Sequence, residues 1–317
     1  MLQMLSQKSK QIAKPSVEEL ETDAIWYDLM NPEPAEIAAI ERVLNIKIPA
    51  LTEMKEIEES SRLYEGEGIL YMTALLVASA DSEHPFTVPV TFIITRSNFV
   101  TVRYDDLKAF QLFSKKIVKN GFINPQTVFC GLIDTIVERT ADILEMNSTE
   151  VDCISNEIFK RKTRTNSMEM KEILVHIGKT GELNSKIREC LMTFDRLLIF
   201  YTNQIAEKGD KRHLLKISTV QLDVKSLVNY VSFLFGKIEF LLDATLGFID
   251  IEQNGIIKFF SVAAVIFLPP MVIASIYGMN FPTMPELKWI WGYPFALILM
   301  LVSAVLPYLY FKKKGWL

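Results

Sequence analysis

The sequence predicts an α/β domain continued by long stalk helices and closed by a two-helix transmembrane region. Three observations carry that prediction. Charged residues make up 23% of the chain, and nearly all of them lie before residue 259. Two uncharged apolar runs follow, Phe259 to Tyr277 and Trp289 to Phe311, each long enough to cross a hydrocarbon core of about 30 Å at 1.5 Å per helical residue. Between residues 25 and 120 short β-branched stretches alternate with helical ones, whereas beyond Pro125 proline is absent until Pro269.

In chain order, Ile25 to Leu29 reads as a strand and Asn31-Pro32 as a turn and cap before a helix over Glu33 to Leu44. Pro49 interrupts the chain, and Thr52 is placed to cap a second, glutamate-rich helix. After Gly66 and Gly68 come three strands, Ile69 to Val77, Thr87 to Thr95 and Phe99 to Tyr104, the last two joined tightly at Ser97-Asn98. Long helices are expected over Pro125 to Lys160 and Met168 to Ala206, with a break at Lys208-Gly209-Asp210. The next helix meets no proline before the membrane, so it can run unbroken into the first span for about 80 to 100 Å. A helix of that length is a stalk, and stalks gain stability by bundling with copies of themselves. The resulting division is 1–124 for the α/β sheet with flanking helices, 125–258 for long helices including the stalk, and 259–277 for the first span. An external loop over 278–288, a second span over 289–311 and a basic tail over 312–317 complete it.

Composition narrows the function. With 34 basic against 38 acidic residues the net charge is −4, which argues against a nucleic-acid binder that would rest on phosphate neutralisation. Cys130, Cys153 and Cys190 show no C-x-x-C pairing, so reduced thiols are expected rather than a disulfide framework or a structural zinc site. The first fourteen residues hold Lys8, Lys10 and Lys14 but no continuous apolar core, so no cleavable signal peptide is read there. Asn147-Ser-Thr149 matches a glycosylation sequon by chance on a cytosolic helix. His84, His176 and His213 are dispersed, no H-E-x-x-H or nucleophile elbow occurs, and no enzyme is expected.

Lys312, Lys313 and Lys314 directly follow the second run, while the connecting loop has only Glu286 and Lys288, so the positive-inside bias places both termini in the cytosol. Trp289, Trp291, Tyr293 and Tyr277 then form an outer aromatic belt, and Tyr308, Tyr310 and Trp316 an inner one. The basic run Lys160 to Arg164 is either a solvated helix end or a headgroup contact.

Two spans cannot enclose a polar path, so transport requires an oligomer. Asp243, Asp250, Ile257, Ala264, Met271 and Gly278 recur at seven-residue steps, and Asn254, Ser261, Leu268 and Ser275 make a neighbouring stripe. Together they form a helix face that begins acidic, becomes apolar with scattered polar groups, and ends at Gly278-Met279-Asn280. Such a face serves either a pore or ordinary helix packing. Asn280 suits recognition of a hydrated cation. Magnesium dehydrates reluctantly, and neutral amide oxygens can accept hydrogen bonds from its waters without holding the ion. Gly278 is expected to leave the helix with positive φ and Met279 to pack behind the turn; the alternative reading of these residues, and the one they favour by themselves, is a plain helix C-cap.

Tyr277-Gly-Met-Asn-Phe281, Met284-Pro-Glu-Leu287, Trp291-Gly-Tyr-Pro294 and the ending Tyr310-Phe-Lys-Lys-Lys-Gly-Trp-Leu317 resemble the CorA family of divalent-cation transporters. Ile251-Glu-Gln-Asn254 and Leu268-Pro-Pro270 extend the resemblance; the rest of the chain agrees in layout only. The resemblance implies a funnel-shaped homopentamer that admits Mg2+ through the cell membrane, with the first span lining the pore and Gly278, Met279 and Asn280 as its selectivity element. It also implies that Glu286 concentrates cations, that Lys312 to Lys314 form a basic collar, and that Mg2+ bound by cytosolic carboxylates between subunits gates the channel. Asp81, Glu83 and Asp223 are candidates for that regulatory site by location and acidity, with solvated surface charge as the alternative. Asp243 and Asp250 are candidates for an inner acidic ring.

At 100 mV, inside negative, a divalent cation gains about 4.6 kcal/mol on moving inward, more than three decades of concentration ratio. No G-x-x-x-x-G-K-[ST] phosphate loop is present, so a passive route needs no engine the chain lacks. Two other readings stay open: a cobalt, nickel or zinc carrier of the same fold, and a membrane-anchored sensor or scaffold. The stripe offers only Met271 as a soft donor and no histidine, which favours oxygen chemistry and magnesium.

Overall fold

A computed structural model describes residues 2–6, 12–13, 15, 20, 24–56, 58–120, 124–160, 167–206, 211–281 and 284–316. The break read at Lys208 to Asp210, Lys8, Lys10 and Lys14, and residues 161–164 of the basic run lie outside them. The chain forms two compact units, Met1–Leu242 and Asp243–Leu317.

The first unit is built on a seven-stranded sheet of β1 (Leu2–Ser6), β2 (Ile12–Ala13), β3 (Ala24–Met30), β4 (Leu63–Gly66), β5 (Ile69–Ala78), β6 (Phe86–Ile94) and β7 (Phe99–Arg103). Its order is β2-β1-β3-β7-β6-β5-β4, parallel only where β3 meets β7. Side-chain alternation along β3 explains the two layers. Tyr27 and Leu29 enter one core with Val100, Val102, Ile40 and Met54. Trp26 points to the other face, where its ring meets Phe99 and Phe113 and its Nε1 donates to Thr101 Oγ1 at 3.1 Å. Asp28 shares that face and is 2% exposed. Arg103, equally buried, donates to it through Nε and, at 2.8 Å, Nη2, while the Thr101 hydroxyl adds a third donor at 2.7 Å. A buried carboxylate needs such a complete set of partners, because its desolvation is otherwise uncompensated.

The helices α1 (Pro34–Leu44), α2 (Leu51–Met54) and α3 (Glu59–Arg62) lie between β3 and β4 in the chain, and α4 (Lys108–Asn120) follows β7. Long helices α5 (Pro125–Lys160) and α6 (Ser167–Ala206) come next. Phe129 of α5 packs edge-on against Phe92 and Phe99, and Phe194 of α6 against Phe92. Thr193 of α6 accepts the Leu75 amide at 3.0 Å. That bond satisfies a β5 edge beyond Met72, where pairing with β4 has ended.

The strands and long helices agree with the sequence reading to within a residue or two. The hairpin turn falls where expected, with the Asn98 amide donating to Thr95 Oγ1 at 2.9 Å. Five elements escaped: β1, β2, α3, β4 and α4. The outward half of β4 gives it no alternation to read, although Tyr64 stacks on Tyr71 at 4.7 Å. In α4 the buried Phe110, Phe113 and Ile117 recur at helical spacing and could have revealed it. Thr52 is not a cap. Ala50, extended after Pro49, holds the cap position and its amide donates to Glu53 at 3.0 Å, which leaves Thr52 inside the helix.

Helix α7 runs over Lys211–Tyr277 with Pro269 and Pro270 inside it, and α8 covers Gly292–Lys313 after a 3-10 turn at Pro285–Lys288. Cys130 and Cys190 are buried thiols outside any disulfide, and burial pushes the pKa of the Cys190 thiol up to about 12. Cys153 is free and exposed. Asn147 is 3% exposed and donates to the Thr180 carbonyl at 3.2 Å, so the sequon cannot serve as an acceptor in the folded chain.

Candidate ion path

Within the second unit, burial separates two faces of α7. Val262 is 3% exposed, and Ala263, Ile266, Pro269, Pro270, Ile273 and Tyr277 are partly covered. On α8, Gly292 and Ala296 are buried. Small side chains at such positions let helix backbones approach closely, the usual packing solution in a bilayer.

The predicted stripe lies on the other side. Asn254, Ile257, Ser261, Ala264, Leu268, Met271 and Ser275 are all exposed, Ile257 and Met271 at 61%. At about 100° per residue this stripe is centred roughly 180° from the covered face. Asp243 and Asp250 are exposed and continue it toward the start of the unit. The covered side of the span and its bare side are therefore diametrically opposed.

The helix ends at the glycine without a left-handed residue. Gly278 N donates to Ala274 O at 2.9 Å and Met279 N to Ile276 O at 3.2 Å, so the last turn tightens. The expected positive φ at Gly278 is absent; among the described glycines only Gly68 and Gly315 have one. A Cβ there would sit 3.3 Å from the Ala274 carbonyl oxygen and 3.6 Å from that of Ser275, a tight contact that a shift of a few tenths of an ångström relieves. Met279 is also not packed behind the turn: it is 42% exposed. Asn280 is exposed, and its carboxamide makes no hydrogen bond among the described residues. Glu286 lies in the 3-10 turn, with its side chain outside the description. Trp289, Trp291 and Tyr293 are exposed around the start of α8, as an outer aromatic belt requires.

The candidate regulatory acids belong to the first unit. Asp81 and Glu83 share the β5–β6 connection and line one groove beneath it. Asp81 pairs with Lys108 and Arg139, each at 3.3 Å. Glu83 accepts from Lys179 at 3.1 Å, and that hydrogen bond and charge hold its carboxyl below the usual range. Asp223 is exposed on α7 and lies near Asp134, whose carboxyl is pushed up first by burial and then by Glu138, with a further contribution from Asp223. Sequence reasoning missed Asp134 and Glu138, although two acids four residues apart on one helix were legible as a local concentration of charge. His84 and His176 are exposed and His213 is buried, so the histidines converge on no site.

Comparison with known proteins places this geometry. The family described as "CorA-like Mg2+ transporter protein" matches residues 21–313. The magnesium transport protein CorA of Haemophilus ducreyi is 35% identical over 297 residues, covering 93% of this chain and 92% of the relative. That of Salmonella typhimurium is 34% identical over the full length of both chains. The complete structure of the CorA magnesium transporter from Methanocaldococcus jannaschii superimposes with a TM-score of 0.79 at 19% identity, covering 100% of this chain and 98% of that one.

Proposed function

The chain belongs to the family of CorA-like Mg2+ transporter proteins, and from that premise we propose that the bare face of α7 lines its ion path. It is a magnesium transporter of the cell membrane with two C-terminal spans, and it is not an enzyme. The observation that carries the proposal is the opposition of the two α7 faces: one is covered within the unit, and the polar-dotted stripe is left for other copies of the chain. A symmetric ring, a homopentamer by family resemblance, encloses that stripe and makes a narrow, partly apolar passage. Asn280 at the outer end then presents a ring of amide oxygens to the hydrated ion, with Gly278 and Met279 shaping the turn. Glu286 gathers cations outside, and Asp243 and Asp250 receive them inside.

Filling the passage tests this directly. Ala264→Trp is expected to reduce magnesium uptake into proteoliposomes by about tenfold or more while the oligomer's mass is unchanged, because a hydrophobic constriction gates by excluding water. Undiminished uptake would move the path off this face.

Control from the cytosolic side is the second element of the proposal. Asp81, Glu83 and Asp223 are exposed carboxylates able to share Mg2+ across neighbouring copies, with Asp81 exchanging Lys108 and Arg139 for the metal. Millimolar magnesium is expected to slow proteolysis of the first unit in the assembled protein, since a ligand that binds only the closed arrangement stabilises it. Identical digestion with and without the ion would remove the sensor from this unit.

A further inference from the structure

The C-terminal tail is folded against its helix. Gly315 takes a left-handed φ of +69°, Gly315 N donates to Lys312 O at 3.2 Å, and Trp316 N donates to Phe311 O at 3.1 Å. This turn brings the Trp316 ring onto Phe311 with centroids 5.4 Å apart. The lysines between them are equally organised. Lys312 Nζ lies 6.0 Å from the Tyr308 ring and Lys314 Nζ 5.8 Å from the Tyr310 ring, each one helical turn back. Among the described residues no carboxylate pairs with Lys312, Lys313 or Lys314.

A fourth lysine joins them. Lys258 on α7 and Phe311 on α8 each lie about 29 Å along their helices from the external connection, so Lys258 stands at the level of the tail. From Gln253 to Leu317 the chain carries no acid except Glu286 at the opposite end of the spans. Unpaired cations framed by amphipathic rings at one bilayer boundary suit a phosphodiester at headgroup depth. The rings sit in the interface and the ammonium groups reach the phosphate. Positive-inside orientation alone accounts for lysines in this place, but not for a capped tail that holds tryptophan and tyrosine beside them.

We propose that Lys258 and Lys312 to Lys314, with Tyr308, Tyr310 and Trp316, form a binding collar for anionic phospholipid headgroups at the cytosolic face. The collar rests on the membrane placement of the spans and not on the ion path. Each lysine near an anionic surface contributes about fivefold in affinity, so three together contribute on the order of 100-fold.

Native mass spectrometry of the detergent-solubilised full-length oligomer, given equimolar phosphatidylglycerol and phosphatidylcholine, tests it. The expected result is preferential retention of phosphatidylglycerol that Lys312→Gln/Lys313→Gln/Lys314→Gln abolishes and the triple Lys→Arg variant keeps. In detergent the variant has no bilayer orientation to lose, so inverted insertion cannot mimic the effect. Equal retention of both lipids by the unmodified chain, or an unchanged preference in the glutamine variant, would overturn the collar. Displacement of the bound lipid by millimolar inorganic phosphate would do the same, by showing a free-anion site. Magnesium uptake measured on the same preparation reads the ion path separately.

Discussion

Asn280→Ala is expected to lower magnesium uptake by about 100-fold or more while leaving the assembled oligomer intact. The reason is the number of acceptors lost at once. A hydrogen bond to a charged or strongly polarised partner contributes about 1.5–3 kcal/mol, and the proposed symmetric mouth would lose one such acceptor from every copy. Folding has little to lose, because Asn280 is exposed and its carboxamide has no partner among the described residues. The contrasting variant Asn280→Asp is expected to bind divalent ions more tightly at the mouth and pass them more slowly, since a carboxylate ring holds what an amide ring releases. Uptake from reconstituted vesicles, with cobalt and nickel as competitors, measures both. Selective uptake persisting in the alanine variant would end the role given to this residue, whatever becomes of the path below it.

The second large effect is on stability. Arg103→Met is expected to destabilise the first unit by about 3–5 kcal/mol, because it leaves the Asp28 carboxylate buried without its cation. Asp28 and Arg103 are 2% and 3% exposed, so water cannot take the guanidinium's place. Thr101 alone remains as a side-chain donor to the carboxylate, and the Phe110 ring loses the guanidinium stacked 4.6 Å above it. For a unit of this size the transition should fall by roughly 10 °C or more. The double variant Asp28→Leu/Arg103→Met should recover much of the loss, since replacing a whole buried pair by apolar groups is often neutral. Calorimetry on the full chain checks both, and a single variant that melts with the parent would show the pair to be dispensable.

How far these sites were legible from residues differs by the range of the interaction. The seven-residue stripe on α7 is a local property of one helix, so its residues were identifiable from spacing and the structure found every one of them exposed. Asp28 and Arg103 are 75 positions apart in the chain, and only the parallel pairing of β3 with β7 makes them neighbours. Nothing in the sequence spacing announced them. The Gly278 turn falls between these cases. Its glycine was identifiable as a helix end, yet the backbone there is not the left-handed one expected, and the Ala274 carbonyl lies close to where a Cβ would stand.

The class of the molecule could be read from the order of residues without any coordinates. Apolar run lengths against bilayer thickness, the lysine asymmetry and the Gly-Met-Asn sequence are each contained within one segment, where periodicity and chemistry suffice. Packing settled which side of α7 is covered and which is left bare, because burial is a relation between segments that no single periodicity contains. It likewise settled that Asp81 is the partner of Lys108 and Arg139, and that the tail folds back to set the Trp316 ring on Phe311. Each of these depends on groups brought together from different turns or strands, and distance in space is fixed only once the chain has packed.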